Sequence, residues 1–270
     1  MSGASALPSS AAPRSLLPQE HGAWGQLAMP LVTGLALARP TASAALIAAA
    51  TVLAFLAHEP WLVALGHRGV RARVSDGPRA LRTMVGLLAA AGVTGGTGLW
   101  LAPPTVRIAA LVPATLAALV VLLVLLEQER TIPGELTVAF ALAGAGALVA
   151  LASGASPRLA TAAFATWVIA FGSSVFAVQT VLVRARSRGQ RDPGGLHAVA
   201  VLVIAAGGSA SALAGGLGWA VPAAVLPTVA LSFVVCLARF PATRLRFLDW
   251  SLVAATTATL AVLLAAASHT

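Results

Sequence analysis

The stretch that decides the fold runs from residue 108 to residue 153, where two long apolar segments flank a short charged one. Residues 108–126 read IAALVPATLAALVVLLVLL, residues 127–133 read EQERTIP, and residues 134–153 read GELTVAFALAGAGALVALAS. A helix of about 20 apolar residues is long enough to cross the hydrocarbon core of a bilayer. Two such segments joined by a polar turn predict a helical hairpin that crosses a membrane twice.

The rest of the sequence repeats this pattern. Only 9% of the 270 residues are charged and 59% are hydrophobic, whereas a soluble domain carries about 25% charged residues. We therefore predict an all-α, polytopic membrane protein with one transmembrane helical-bundle domain over residues 18–270. A disordered tail over residues 1–17, which lack the apolar core of a signal peptide, precedes it. The nine predicted transmembrane helices cover residues 22–38, 42–65, 83–102, 108–126, 134–153, 159–183, 197–217, 219–238 and 248–267.

The basic residues are divided unevenly between the two ends of these helices. All seventeen are arginines; fourteen lie in the tail or in the connections after predicted helices 2, 4, 6 and 8, and only Arg39, Arg107 and Arg158 lie on the other side. Positive charge accumulates on the cytoplasmic side of a membrane protein. We therefore predict the N-terminus inside and the C-terminus outside the cell, in a bacterial inner membrane. The net charge of +9 reflects this topology, and no soluble basic domain is present to bind nucleic acid.

Ionisable residues gather near the arginine-rich helix ends, and such residues inside a bilayer usually face the bundle interior or an aqueous cavity. His58 and Glu59 are the most informative pair, because adjacent residues point about 100° apart on a helix and cannot both face one groove. Pro60 is expected to bend the helix beside them. The other ionisable or polar candidates are Glu20, His21, Glu127, Glu129, Arg130, Glu135, Gln179 and Asp249.

Most of these candidates also have a structural explanation. Glu20, Glu135 and Asp249 lie early in predicted helices, where a carboxylate interacts favourably with the helix dipole. Glu127 and Glu129 could be solvated loop residues. Glycines inside the apolar segments are expected to permit close helix packing, and three more are expected to reverse the chain between the seventh and eighth predicted helices. The packing glycines are Gly92, Gly95, Gly96, Gly98, Gly144, Gly146, Gly207 and Gly208, and the reversal glycines are Gly215, Gly216 and Gly218.

The segment from Pro18 to Trp24, PQEHGAW, resembles the P-x-E-H-G-A-W opening of the YwiC-like family of bacterial membrane proteins. Residues 129–131 with Glu135 are similar to its E-R-T…E segment. Residues 176–184 are similar to a segment containing V-K-T…R, with Gln179 in place of the usual lysine. The resemblance extends to about Asp249 and implies a shared helical membrane architecture rather than a particular chemistry.

A weaker similarity connects the chain with the UbiA-type intramembrane prenyltransferases, which also have nine helices and polar connections after helices 2 and 6. In those enzymes aspartate-rich motifs at these connections hold Mg²⁺ against an isoprenyl diphosphate. Here the same connections contain only Asp76 and Asp192, too few for a carboxylate cage, so we predict no metal site. The resemblance implies that a diphosphate would instead be held by arginines, which pair bidentately with phosphate. They are Arg68, Arg71, Arg184 and Arg186.

Three functions remain open. The first is a cytoplasm-facing intramembrane cavity that binds or acts on a lipid or isoprenoid, as in a prenyltransferase-type enzyme without the aspartate-rich motifs. The second is a small-molecule or proton-coupled transporter, and the third is a non-catalytic membrane subunit whose arginines bind anionic lipid. The sequence identifies neither a cofactor nor an oligomeric state.

For the first function, histidine or glutamate would serve as a general base. The predicted catalytic residues are Glu20, His21, His58, Glu59 and Glu129, and the predicted substrate-binding residues are Trp24, Arg68, Arg130, Glu135, Gln179, Arg184 and Asp249.

Overall fold

A computed structural model of the chain describes residues 15–18, 21–187, 190–238, 240 and 245–268. Every regular element within these residues is an α-helix, so the predicted fold class is confirmed. Residues 1–14 of the predicted tail lie outside the described part, whereas Leu16 packs in one small apolar cluster with Val63 and Ala80. The helices are α1 His21–Ala36, α2 Ala42–Leu65, α3 Val70–Leu101, α4 Pro104–Ala109, α5 Leu111–Leu125, α6 Ile132–Ala152, α7 Pro157–Arg186, α8 Gly194–Ala214, α9 Ala220–Leu237 and α10 Leu245–Ala267.

The nine predicted helices all have counterparts. In the described part of the chain, eight helical segments are long and apolar enough to cross a membrane, and α4 with α5 counts as one of them, Pro104–Leu125. The ninth is α1, whose 16 residues fall short of the roughly 20 that a perpendicular crossing needs. It nevertheless packs within the bundle against α6 and α10.

Local sequence signals set several helix ends. The hydroxyls of Thr41 and Thr131 accept hydrogen bonds from the backbone N–H three residues later, at the first turns of α2 and α6, which is the usual role of an N-cap threonine. Gly66 ends α2 with φ 92°, a left-handed conformation that favours glycine. Gly216 and Gly218 have φ 72° and 78° between α8 and α9, which confirms the predicted chain reversal.

The largest error in the predicted helices concerns α3. Predicted to begin at residue 83, it begins at Val70, so part of the predicted arginine-rich loop is helical and the connection from α2 covers only residues 66–69. Hydropathy marks only the part of a helix that lies inside the bilayer, because apolar side chains are required only there. Arginine and alanine are good helix formers outside the bilayer, so the helix can begin earlier. The arginines moved from loop to helix are Arg71, Arg73, Arg79 and Arg82.

Helix α7 is the central element of the bundle. Helices α1, α6, α8, α9 and α10 all pack against it. Its buried residue Trp167 stacks on Phe171 with ring centroids 5.2 Å apart and donates from its indole nitrogen to the Thr33 hydroxyl of α1 at 3.0 Å. Outside this group, α2 packs on α1 and α6, α3 packs on α2, and α5 packs on α6, so α3 and α5 are peripheral.

Glycine allows α1 and α6 to approach closely. A Cβ added to Gly146 would overlap Pro30 of α1, and one added to Gly34 would overlap the α6 backbone. The predicted packing role is also confirmed for Gly98 against α2 and for Gly208 against α7. It is wrong for three positions that have nothing within 4 Å of an added Cβ: Gly92, Gly96 and Gly207.

The two ends of the bundle differ in charge. We define the arginine-rich end as the one that carries the α2–α3, α5–α6, α7–α8 and α9–α10 connections. At the opposite end, Arg107 donates from Nε to the carbonyls of Leu99 and Ala102 and from Nη2 to that of Trp100. A cation bound to the last carbonyls of a helix stabilises its C-terminus, so Arg107 has a structural role at the end of α3.

Candidate functional site

The α2–α3 connection holds a buried ion pair. Gly69 N–H donates to the Gly66 carbonyl at 2.8 Å, closing a compact turn that directs Arg68 back along α2. Arg68 Nε then donates to Glu59 Oε1 at 3.0 Å, and Nη2 donates to Oε2 at 2.5 Å. Glu59 is only 7% exposed. This bidentate geometry is the strongest form of arginine–carboxylate pairing, and it keeps a carboxylate inside the protein with its charge balanced.

The α5–α6 connection is a second compact turn at the same end. Glu127 has φ 59°, a left-handed conformation that a side chain with a Cβ rarely adopts and that often marks a functional segment. A Cβ on Gly134, in the first turn of α6, would overlap the carbonyl oxygens of Gln128 and Glu129. The turn is therefore folded tightly over the start of α6, and its acidic side chains are held in place.

His67 lies between the two turns. Its Nε2 is 4.0 Å from Glu127 Oε1 and its Nδ1 is 3.9 Å from Glu129 Oε2. Both distances exceed a direct hydrogen bond. Glu129 Oε2 is buried and makes no hydrogen bond to the described residues. We call Glu59, His67, Arg68, Glu127 and Glu129 the turn site.

An apolar groove lies between α1 and α2. It has a volume of about 350 Å³ and an entirely apolar lining. Ala48 and Val52 of α2 line it, Phe55 packs edge-on against the lining residue Trp24 at 5.4 Å, and Glu59 follows one turn later. The spacing of four, three and four residues places these α2 positions on one helix face. The lining residues are Trp24, Leu27, Ala28, Leu31, Val32, Leu35, Ala48, Ala49 and Val52.

The other predicted site residues lie in several places. Gln179 Nε2 of α7 donates to Glu135 Oε1 of α6 at 2.7 Å, which joins two helices that also pack along their length. Arg130 is at the rim of the turn site, 3.8 Å from Glu129 and 62% exposed. His58 on α2 and Asp249 on α10 are half-buried. Glu20 and the side chain of His21 lie outside the described residues.

Arg184 joins α7 to the α7–α8 connection and to the end of α9. Its Nε donates to Asp192 Oδ1 at 2.8 Å, and its Nη1 and Nη2 donate to the carbonyls of Ala238 and Cys236. Arg184 and Arg68 are thus each paired with a carboxylate, on different helix connections. Two members of the diphosphate-binding set that the sequence suggested are already engaged within the protein.

Two members of the turn site were not among the predicted site residues. His67 lies in the segment Gly66-His67-Arg68-Gly69, and two glycines around a His-Arg pair are a signal for a tight turn that returns both side chains towards the preceding helix. Glu127 is an ionisable candidate for which the sequence also allows a solvated loop residue. Its side chain is 80% exposed, but its backbone conformation and its approach to His67 connect it with the site.

The chemistry of the turn site is that of a small acid–base cluster. It combines the Glu59–Arg68 ion pair with a histidine between two carboxylates, and side chains of these types commonly act as general acids and bases. Among the described residues, no group of three or more histidine, cysteine, aspartate or glutamate side chains is arranged to hold a metal ion.

Comparison with known proteins gives one match. No curated protein and no solved structure matches the chain. The family model described as YwiC-like protein matches residues 17–150, a region that contains α1 to α5, nearly all of α6, the α1–α2 groove and the whole turn site. The matched region, just under half of the chain, is similar to the YwiC-like family.

Proposed function

We propose that this YwiC-like membrane protein binds an amphipathic, lipid-like ligand of the isoprenoid or acyl class at the arginine-rich end of its first six helices. The apolar chain of the ligand would lie in the α1–α2 groove, and its polar end would reach the turn site. The observation that carries the proposal is the continuity of one α2 face, from Ala48 and Val52 in the groove to Glu59 in the turn site.

The polar end of the ligand has a partner available. Glu129 Oε2 is a buried acceptor without a hydrogen bond to the described residues, and an unsatisfied buried acceptor costs about 1–3 kcal/mol. A hydroxyl or amine of the ligand would satisfy it and would also come within reach of His67. The same pair could move a proton to or from the ligand, so the site supports binding and acid–base chemistry.

A site at one end of the bundle is favoured over a pathway through it. The ion pairs within the described residues join side chains of the arginine-rich end. Helix α7, at the centre, buries several hydroxyl and amide side chains, among them Thr166, Ser173 and Ser174, but no charged side chain. A proton-coupled transporter would instead be expected to place ionisable groups within the membrane along its pathway.

The groove can be tested by filling it. Ala49 lines the groove and is exposed in it, so Ala49→Trp should block the ligand chain without disturbing the core. Ala54 is also exposed on α2 but does not line the groove, which makes Ala54→Trp the matched control. Lipids extracted from the purified full chain are identified by mass spectrometry. We expect one amphipathic species enriched over bulk lipid, retained in the control and reduced at least tenfold by Ala49→Trp.

The turn site is tested by Glu59→Gln, with Asp76→Asn on α3 as the control for a change of acid to amide. The change weakens the Glu59–Arg68 pair that holds the turn site in place, and is expected to lower ligand retention about tenfold, equivalent to about 1.4 kcal/mol. The proposal is overturned if the unaltered protein enriches no lipid, or if each control variant loses as much as its partner. Solute flux in proteoliposomes that Glu59→Gln abolishes, with lipid retention unchanged, would favour the transporter instead.

A further inference from the structure

The first part of α3 is longer than a membrane crossing requires. The helix has 32 residues, about 48 Å at 1.5 Å per residue, against a hydrocarbon core of about 30 Å. Counting back about 20 residues from Leu101 reaches Arg82. Residues 70–82, which we call the basic segment of α3, therefore begin at the membrane boundary and extend beyond it.

The basic segment runs obliquely across the end of α2. The Arg73 side chain lies against Gly66, and Ala80 packs in one cluster with Val63. From Arg73 to Ala80 a helix rises by about 10.5 Å, whereas Val63 and Gly66 are only about 4.5 Å apart along α2. Since Pro78 lies inside the helix and proline is the commonest cause of a bend, the basic segment is directed along the membrane surface rather than away from it.

One face of the basic segment is apolar and uncovered. Val70 and Val74 are 79% and 77% exposed, and Leu81 is 50% exposed. Spacings of four and seven residues put them on one helix face. The same face continues as Val85 and Leu88, also exposed, inside the predicted membrane span. An apolar stripe that passes without a break from the lipid-facing part of a helix indicates that the basic segment also contacts lipid.

The basic segment carries four arginines and a single acidic residue. Arg71, Arg73, Arg79 and Arg82 are all exposed, and the first turn contains no acidic residue and no side-chain cap. Cations near the N-terminus of a helix are unfavourable to its dipole. The one acidic side chain of the segment, Asp76, accepts a hydrogen bond from Ser75.

We propose that the basic segment of α3 is an interfacial element that binds anionic lipid headgroups, with Val70, Val74 and Leu81 in the acyl region and the arginines on the phosphates. Basic amphipathic helices bind membrane surfaces in this way, and each arginine near an anionic surface adds to the attraction. This lipid-binding surface is separate from the groove and the turn site, and it does not depend on their ligand.

The charge contribution is tested with the full chain in nanodiscs that contain equal amounts of phosphatidylglycerol and phosphatidylcholine. Native mass spectrometry of the protein released from them measures the two lipids that stay bound. We expect phosphatidylglycerol to be enriched, and Arg71→Gln/Arg82→Gln to lower the enrichment about thirtyfold, from the loss of two arginine contacts. The control Arg39→Gln/Arg158→Gln removes two exposed arginines from the opposite end and should leave the enrichment unchanged.

Soluble glycerol 3-phosphate distinguishes a lipid headgroup from free phosphate, since it should not displace the bound phosphatidylglycerol. No enrichment in the unaltered chain, an equal loss in the control, or displacement by the soluble phosphate each overturns the proposal.

The position of the segment is tested by spin labels at Val74→Cys and Asp76→Cys, which lie on opposite helix faces. Cys236 is buried, and the labelled unaltered chain measures its residual signal. The Val74 label should collide more often with oxygen, which concentrates in lipid, and the Asp76 label more often with a water-soluble nickel chelate. Equal access of the chelate to both labels would mean that the segment stands clear of the bilayer, where an acidic soluble protein would be its partner, and the proposal would be wrong.

Discussion

Thr180 shows how much a single buried hydroxyl can connect. Its oxygen lies 2.8 Å from the Phe176 carbonyl of its own helix, 2.8 Å from His197 Nδ1 of α8 and 3.6 Å from Cys236 Sγ of α9. A hydroxyl offers one donor and two acceptor sites, so it can satisfy all three neighbours at once. Three helices of the second half of the chain are thereby held in register at one point.

Thr180→Val is expected to destabilise the protein, because the isosteric side chain keeps the volume but leaves His197 Nδ1 without this partner. Leaving a buried polar group unsatisfied costs about 1–3 kcal/mol. Reversible unfolding in mixed micelles, followed by circular dichroism, measures the change in free energy. Thr137→Val is the control, because the Thr137 hydroxyl is exposed and donates to the Pro133 carbonyl of its own helix; its effect should stay within about 0.5 kcal/mol. Equal losses would show that the Thr180 contacts add nothing.

Single residues of the turn site were predictable to different degrees. Glu59 and Glu129 stand out in the sequence because a carboxylate beside an apolar helix is costly and therefore informative. His67 did not, because its role depends on two turns that are 60 residues apart in sequence and meet only in the folded chain. The sequence shows that a charged side chain lies beside an apolar helix. It does not show which residue pairs with that charge in the folded chain.

The contact between α1 and α6 is set by the absence of a side chain. Gly146→Ala would place a methyl group on the Pro30 backbone, which is not a flexible side chain that could move aside. Overpacking of this kind costs about 1–3 kcal/mol. We therefore expect a lower melting temperature in detergent, measured by the change in tryptophan fluorescence as the buried Trp167 becomes exposed. The α1–α2 groove should also widen or close as α1 shifts.

Gly207→Ala is the matched control for that variant. Gly207 lies in the middle of α8 with nothing within 4 Å of an added Cβ, so alanine adds only its better helix propensity, worth up to about 1 kcal/mol. The melting temperature should be unchanged or slightly higher. A similar loss at both glycines would contradict the close approach of α1 and α6.

Helix boundaries were predictable where a helix-capping residue lies at the edge of an apolar segment. The bounds of α2 were predicted without error, because Thr41 caps its start and Gly66 ends it. The start of α3 was misplaced by thirteen residues, because hydropathy reports where a helix enters lipid and not where it begins. The basic segment is therefore a part of a membrane helix that hydropathy does not detect, because it is helical without being apolar throughout.

Across the whole molecule, the strongest prediction concerns orientation. By sequence, fourteen of the seventeen arginines fall in the N-terminal tail or in the connections after predicted helices 2, 4, 6 and 8, so we expect the arginine-rich end in the cytoplasm and the C-terminus outside. Alkaline phosphatase fused after Thr270 should be active, because it folds only outside the cytoplasm, and a fusion within the α7–α8 connection should be inactive. Green fluorescent protein at the same two positions should give the opposite result. The reverse pattern would place the turn site on the outer face.

The sequence by itself determined the class, the number of apolar helices and the concentration of charge at one end, because the cost of burying polar groups in lipid acts on each segment independently. It did not determine which helix is central, which glycines touch a neighbour, or which carboxylates meet His67. Those depended on the tertiary structure, because membrane helices pack through close steric fit with no strong pattern of hydrophobicity between them. Alanine, valine and leucine look equally suitable for lipid and for a protein neighbour until the neighbour is in place.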